Sequence, residues 1–183
     1  MKRFETFVFK SYNFDQSTKL LTLVYGLDEA VTLTETYRFD FDFAPDLDQK
    51  LLNAAVEALF YMAGVSYYKA YLPPKIVLNP EASLDQEGAD FFGSTYQNGL
   101  GEFFYVNHLD PKTPVNFQPN SPEIPRLQSS DHEGLLIGIG GGKDSLVTAE
   151  LLRSQPRVAT WSVGHRPQLT PLVERIGLPH FWV

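Results

Sequence analysis

The sequence predicts an α+β module at the front of the chain, followed by the start of an α/β domain built on a parallel sheet. Three observations carry this. Residues up to Phe43 alternate apolar and polar side chains in the manner of half-buried strands. The stretch 111–130 gathers Pro111, Pro114, Pro119, Pro122 and Pro125 among polar residues and interrupts that rhythm. Beyond it, short apolar runs alternate with helical patterns, as in parallel strands joined by helices. The chain therefore divides into a front, substrate-side module (1–110), a Pro-rich linker (111–130) and the beginning of an α/β domain (131–183).

The front module opens with three strand-like segments, Phe4–Tyr12, Leu20–Tyr25 and Glu29–Phe43, separated by turn residues at Asn13–Ser17 and Gly26–Asp28. An antiparallel meander with one buried face is expected. A helix follows, with Asp46 as N-cap and Gln49 completing a capping box. Leu47, Leu51, Ala55, Leu59 and Met62 form its apolar stripe, widened by Leu52, Val56 and Ala63, and Gly64 ends it. Lys75–Leu78 reads as a short strand and Ser83–Asn98 as a helix.

After the linker, Gly134–Ile139 is a compact apolar strand and Asp144–Ser154 a helix with Leu146, Val147, Leu151 and Leu152 inward. Arg157–Val163 is a second strand, Leu169–Ile176 a second helix stopped by Gly177 and Pro179, and His180–Val183 begins a third strand. A parallel sheet is not finished by two strands and the start of another, so this domain looks incomplete and the protein is expected to continue past Val183.

Composition narrows the function classes. With 43% hydrophobic residues the chain has the means to build a core. The net charge of −7, without any basic run, gives no electrostatic footprint for a nucleic-acid partner. There is no cysteine, hence neither a disulfide framework nor a thiolate metal site. No stretch approaches the roughly 18 apolar residues of a membrane span, and no apolar signal core follows the N-terminal residues. A cytoplasmic protein without a membrane partner is the default expectation. The oligomeric state is not legible.

The sharpest local signal is Ile137-Gly-Ile-Gly-Gly-Gly-Lys-Asp-Ser-Leu146, set between an apolar strand and a helix start. Successive glycines allow close backbone approach and positive φ, and their amides converge with the first amides of the helix to make an anion site. Lys143 adds a mobile positive charge, Ser145 a hydroxyl, and Asp144 a carboxylate suited to Mg²⁺ beside phosphates. It is not a Walker A loop: Ile137 stands where the first Gly belongs, and Asp144 follows the Lys. Nor is it a dinucleotide fingerprint, since Lys143 occupies the third Gly position.

The segment resembles the Ser-Gly-Gly-x-Asp-Ser loop of the ATP pyrophosphatase (PP-loop) superfamily, with Gly140 in place of the first Ser. The resemblance implies that Gly140, Gly141, Gly142, Lys143 and Ser145 hold the phosphates of ATP, that Asp144 holds Mg²⁺, and that AMP and pyrophosphate are released. Gly64-Val-Ser-Tyr-Tyr-Lys69 and Gly99-Leu-Gly-Glu-Phe103, taken with this loop, are similar to the ATP-dependent UDP-N-acetylmuramoyl-L-alanyl-L-glutamate epimerases of bacterial wall synthesis. That similarity implies an isomerase inverting the terminal L-glutamate of a UDP-muramoyl dipeptide to D-glutamate through an acyl-adenylate.

Site expectations follow. Ser66, Tyr67, Tyr68 and Lys69 are candidates for substrate contact, with Lys69 pairing an anionic group; core aromatics and a solvated lysine are the other reading. Glu102, between glycines and aromatics, is a candidate acid/base whose partial burial would raise its pKa, or a carboxylate that bonds nearby amides. Lys143 and Asp144 complete the catalytic set. Gly164 follows the second strand of the sheet, where ligands sit at strand carboxyl ends, so Ser162–His165 is expected to border adenine or ribose. His108, His132, His165 and His180 lack ligand spacing and are expected as surface or loop residues. Two alternatives share the loop: a PP-loop ligase or tRNA-modifying enzyme, and a non-catalytic ATP-binding protein.

Overall fold

The alternating pattern at the front becomes sheet, and the aromatic residues that carry it become core. The computed structural model describes residues 3–80, 83–124 and 134–183. The chain divides into two compact units, one of 1–14, 22–36 and 48–127, the other of 15–21, 37–47 and 128–183. No helix among the described residues is long and apolar enough to cross a membrane.

In the first unit, β1 (Thr6–Asp15), β2 (Leu20–Leu27) and β3 (Val31–Arg38) lie side by side in chain order, and β4 (Lys75–Val77) adds on the far edge of β1. β4 pairs with β1 in parallel, Phe7 opposite Ile76, so the expected meander is extended by a parallel strand. The reason is the crossover: α1 (Gln49–Ala63) and α2 (Val65–Tyr71) intervene, and a return through helices delivers a strand in the same direction. Phe7, Phe9, Leu21, Leu23 and Tyr25 are buried at period two. Val56, Phe60 and Tyr61 of α1 complete the core with Phe92 and Tyr96 of α3 (Gln86–Gly99) and Phe104 of α4 (Gly101–Val106). The rings interlock edge-on, Phe9 lying 5.2 Å from both Phe60 and Tyr61.

Two expectations for α1 are corrected. Its N-cap is Asp48, whose carboxylate accepts from the amides of Lys50 and Leu51 at 2.8 and 3.3 Å, while Asp46 sits in a turn closed by Leu47 N to Ala44 O. Its buried face is Val56, Phe60 and Tyr61, with Ala55 exposed, because the large rings rather than the leucine stripe meet the sheet aromatics. Carbonyls near the end of a helix lack intrahelical partners. Here Tyr25 and Tyr96 hydroxyls donate to those of Phe60 and Tyr61.

The Pro-rich stretch is described over 111–124, where it forms neither helix nor strand. Val115 and Phe117 are buried, Phe117 packing 5.1 Å from Tyr96 and 5.8 Å from Phe92. Asn120 and Ser121 amides donate to Leu84 O, and the Ile124 amide to Asp85. This part is a strap fastened to the first unit; residues 125–130 of the expected linker lie outside the described residues.

The second unit carries a parallel sheet in the order β5 (Leu135–Gly138), β6 (Val158–Ser162), β7 (His180–Trp182). α5 (Lys143–Leu152) and α6 (Arg166–Ile176) join these strands and close one core, in which Ile137, Ile139, Ala149, Val158 and Ile176 are buried. α6 starts earlier than its apolar pattern suggested, because Pro167 in the first turn fits a helix start. In α5, Leu146 and Leu152 pack inward as expected, but Val147 and Leu151 are 56% and 73% exposed. The opposite sheet face presents Leu136, Trp161 and Phe181. The extended segment after β3 reaches β7 through an Asp40 N to Trp182 O bond and sets Phe41 5.0 Å from Phe181.

Candidate functional site

The glycine loop lies at the carboxyl end of β5, where the chain leaves the sheet and turns into α5. Ile139 is the last buried residue before it, held by its amide to Trp161 O at 2.8 Å. The hydroxyl of Ser162, almost fully buried, donates to Ile139 O at 2.7 Å. Ser162, the first residue of the segment expected to border adenine or ribose, ties β6 to the start of the loop. Two strand ends are thereby locked together just before the glycines.

The loop itself is open. Gly141 has φ +84°, a conformation costly for any other residue, and a Cβ there would stand 3.2 Å from Leu169 of α6. A Cβ on Gly140 or Gly142 would meet nothing within 4 Å. Gly142 caps α5 with extended backbone and no side-chain bond, so the amides of the first turn are not consumed by a capping side chain. Lys143 and Asp144 are exposed in that turn. Ser145 Oγ donates to Gly142 O at 2.8 Å, so its hydroxyl must rotate to serve a phosphate. A helix N-terminus with uncapped amides and an exposed lysine adjoin one open loop, a combination that suits an anion.

Metal fit is limited to one carboxylate. Among the described residues no group of three or more His, Asp or Glu is arranged for a metal. Asp144 is a single exposed carboxylate in the first turn of α5; Mg²⁺ sites beside phosphates typically take one or two protein carboxylates and complete the shell with phosphate and water.

Gly164 adopts φ +62° just past β6, followed by His165 at φ +51°, and its amide donates to Val183 O at 2.9 Å. It lines a cavity with Arg166 and Trp182. His165 is exposed at the start of α6 and His108 is exposed after α4, as expected. His180 is not a surface residue: it is half-buried in β7, with Nδ1 2.7 Å from Thr160 Oγ1 and Nε2 buried without a partner. Burial and then Arg166 hold its pKa below the ordinary histidine value. His132 lies outside the described residues.

The remaining candidates sit in the first unit. Gly64 joins α1 to α2 where a Cβ would stand 2.7 Å from the Phe9 ring, so packing demands glycine there. Tyr68 is a core aromatic, 5.6 Å from Tyr96 and 5.9 Å from Phe7. Tyr67 is half-buried 5.3 Å from Tyr25, and its phenol pKa is raised by burial and by Glu35. Ser66 and Lys69 are exposed one helical turn apart, on one side of α2. Glu102 is exposed in the first turn of α4, so the partial burial expected for it is not found; the glycine at 101 begins a helix instead of a tight enclosure.

Comparison with known proteins adds an independent line. A protein of Xanthomonas oryzae pv. oryzae, named UDP-N-acetyl-alpha-D-muramoyl-L-alanyl-L-glutamate epimerase, is 36% identical over 181 residues, covering 95% of this chain and 39% of its own length. Proteins of the same name from Micromonospora sp. and Salinispora tropica are 32% and 33% identical over 160 residues, 84% of this chain and 35% of theirs. The chain thus spans under two-fifths of the length of these relatives. No solved structure matches. The family model described as MurL N-terminal domain matches residues 1–183, so the chain belongs to the MurL N-terminal domain family.

Proposed function

We propose that this chain is part of an ATP-dependent epimerase that inverts the terminal L-glutamate of UDP-N-acetylmuramoyl-L-alanyl-L-glutamate, a peptidoglycan precursor, releasing AMP and pyrophosphate. The observation that carries the proposal is the open Gly140–Ser145 loop at the carboxyl end of a parallel strand, in a chain whose relatives bear the epimerase name.

The chemistry supplies a reason for ATP. A proton α to an ionised carboxylate is very weakly acidic, because its removal places charge beside charge. Attack of that carboxylate on the α-phosphorus breaks the α–β anhydride bond, expels pyrophosphate and neutralises the acid as an acyl-adenylate. A side-chain base then removes the α-proton, a proton returns on the opposite face, and water at the acyl carbon releases AMP. In this scheme the amides of Gly140, Gly141 and Gly142 bind phosphate with Lys143 and the rotated hydroxyl of Ser145. Asp144 holds Mg²⁺, which when bound offsets phosphate charge. Lys69 and Ser66 offer an exposed contact for the anionic substrate, Tyr67 and Tyr68 support them from α2, and Glu102 is accessible as an acid or base.

The test incubates the intact protein with ATP, Mg²⁺ and the UDP-muramoyl dipeptide and measures AMP, ADP, pyrophosphate and glutamate chirality. AMP, pyrophosphate and D-glutamate are expected, with ¹⁸O from the substrate carboxylate appearing in AMP. Lys143→Ala, at an exposed position, should keep the wild-type melting temperature and lose about 100-fold in turnover. ADP as product, or unimpaired turnover by Lys143→Ala, overturns the proposal.

A further inference from the structure

In a chain of net charge −7, three cations of the second unit converge on one hollow. Lys19, Arg38 and Arg166 line a cavity of about 290 Å³ with Asp40, Trp182 and Gly164. Arg166 Nη1 meets Asp40 Oδ2 at 2.6 Å, and its guanidinium lies 5.2 Å from the centre of the Trp182 ring. A guanidinium carries five N–H donors, and a carboxylate and an aromatic face fix this one while leaving donors to spare. Lys19 is held by Asp42 at 2.6 Å with its side chain 34% exposed. Arg38 has no ion-pair partner among the described residues. Asp40 and Asp42 offset Arg166 and Lys19, so Arg38 is the unmatched positive charge of the cavity, and the guanidinium donors left over around it are of the kind that hold phosphate oxygens.

We propose that this cavity binds the diphosphate of a nucleotide-activated sugar, separately from the glycine loop. The inference rests on the epimerase reading, which gives the protein a UDP-linked substrate besides ATP. The volume accommodates a diphosphate and the start of an attached ring, not a whole sugar nucleotide, so the sugar and peptide extend beyond it. Gly164 stands at its wall with nothing within 4 Å of an added Cβ, which leaves that side open for the extension.

The experiment titrates UDP, ATP and uridine separately into the intact protein, comparing wild type with Arg38→Ala, Arg38→Glu and Lys143→Ala. Arg38 is exposed at the end of β3, so its variants should melt with wild type; Arg166→Lys, which keeps charge but not the fork, is the second probe. UDP should bind and uridine should not. Arg38→Ala should weaken UDP about 10-fold, and Arg38→Glu more, with ATP unchanged. Lys143→Ala should do the reverse. Absence of UDP binding, equal UDP affinity in wild type and Arg38→Glu, or weakening of ATP instead of UDP would each overturn the assignment. Because the epimerase proposal is judged by products and by Lys143→Ala turnover, its failure is distinguishable from this one.

Discussion

The two units spend their apolar residues in opposite ways. In the first, Phe7, Phe9, Tyr25, Phe60, Tyr61 and Tyr96 close on one another, and the Phe117 strap seals the cluster. In the second, one face of a parallel sheet is covered by helices, whereas Leu136 on the other face is 61% exposed and the glycine loop stands open. Parallel sheets are ordinarily buried on both faces. The contrast teaches that the front unit closes its apolar residues into one aromatic core, whereas the second leaves apolar surface and a glycine loop uncovered. Chemistry is generally carried by loops that a rigid scaffold holds in place.

The largest expected effect breaks the first half of that contrast. Phe117→Ala removes a ring that is 5% exposed and touches Phe9, Tyr61, Phe92 and Tyr96. It should cost about 3–5 kcal/mol of stability. Leu151→Ala, at an exposed position on α5, should stay within about 0.5 kcal/mol of wild type. Denaturant titration of both variants checks the pair. Equal losses would mean that the strap is peripheral, or that Leu151 is covered in solution.

A second comparison sharpens the loop. Gly141→Ala must hold a side chain at positive φ and press it to 3.2 Å from Leu169, whereas Gly140→Ala enters open space. Gly141→Ala should therefore lower stability by about 1–2 kcal/mol. Gly140→Ala should be close to neutral in stability, yet weaken ATP binding by shielding the amides. Melting curves and ATP titration separate the two; a stability loss as large in Gly140→Ala would show that the loop is packed more tightly than its geometry implies.

The order and type of most elements were legible from periodicity, because local pattern fixes them: the strands to β3, α1, α3 and the β5-α5-β6-α6-β7 run all follow. What was not legible depends on distant partners. The parallel pairing of Thr6 with Lys75 spans the two intervening helices. The inward face of α1 was chosen by Phe9 and Tyr25 on other strands, and the burial of Val115 and Phe117 by a core that a proline-rich composition does not announce. The place of the loop from Gly140 to Ser145, between a strand and a helix start, was readable because the segment is contiguous. The tie from Ser162 to Ile139 and the hollow joining Arg38 to Arg166 were not, since each unites residues from separate segments. Glu102 is exposed where partial burial was expected, and Tyr68 takes the core-aromatic alternative, because flanking aromatics indicate a core nearby without saying which side chain enters it.

The smallest expected effect concerns a half-buried histidine of the second unit. His180 is held neutral by burial and by Arg166, so its folded pKa lies below its unfolded value of about 6.5. Above that pH neither state takes up the proton and His180 leaves stability flat. As pH falls through the unfolded value toward the folded one, the unfolded chain binds more protons, and stability must drop. Melting temperature is thus expected to hold above the unfolded value of about 6.5 and to decline as pH falls below it. His180→Asn, which keeps a polar partner for Thr160 and removes the titration, should flatten that segment of the curve while lowering its plateau. If the variant and wild type fall in parallel, the acid sensitivity belongs to other groups. The buried Nε2 of His180 would then be tolerant of charge, which its lack of any hydrogen-bond partner argues against.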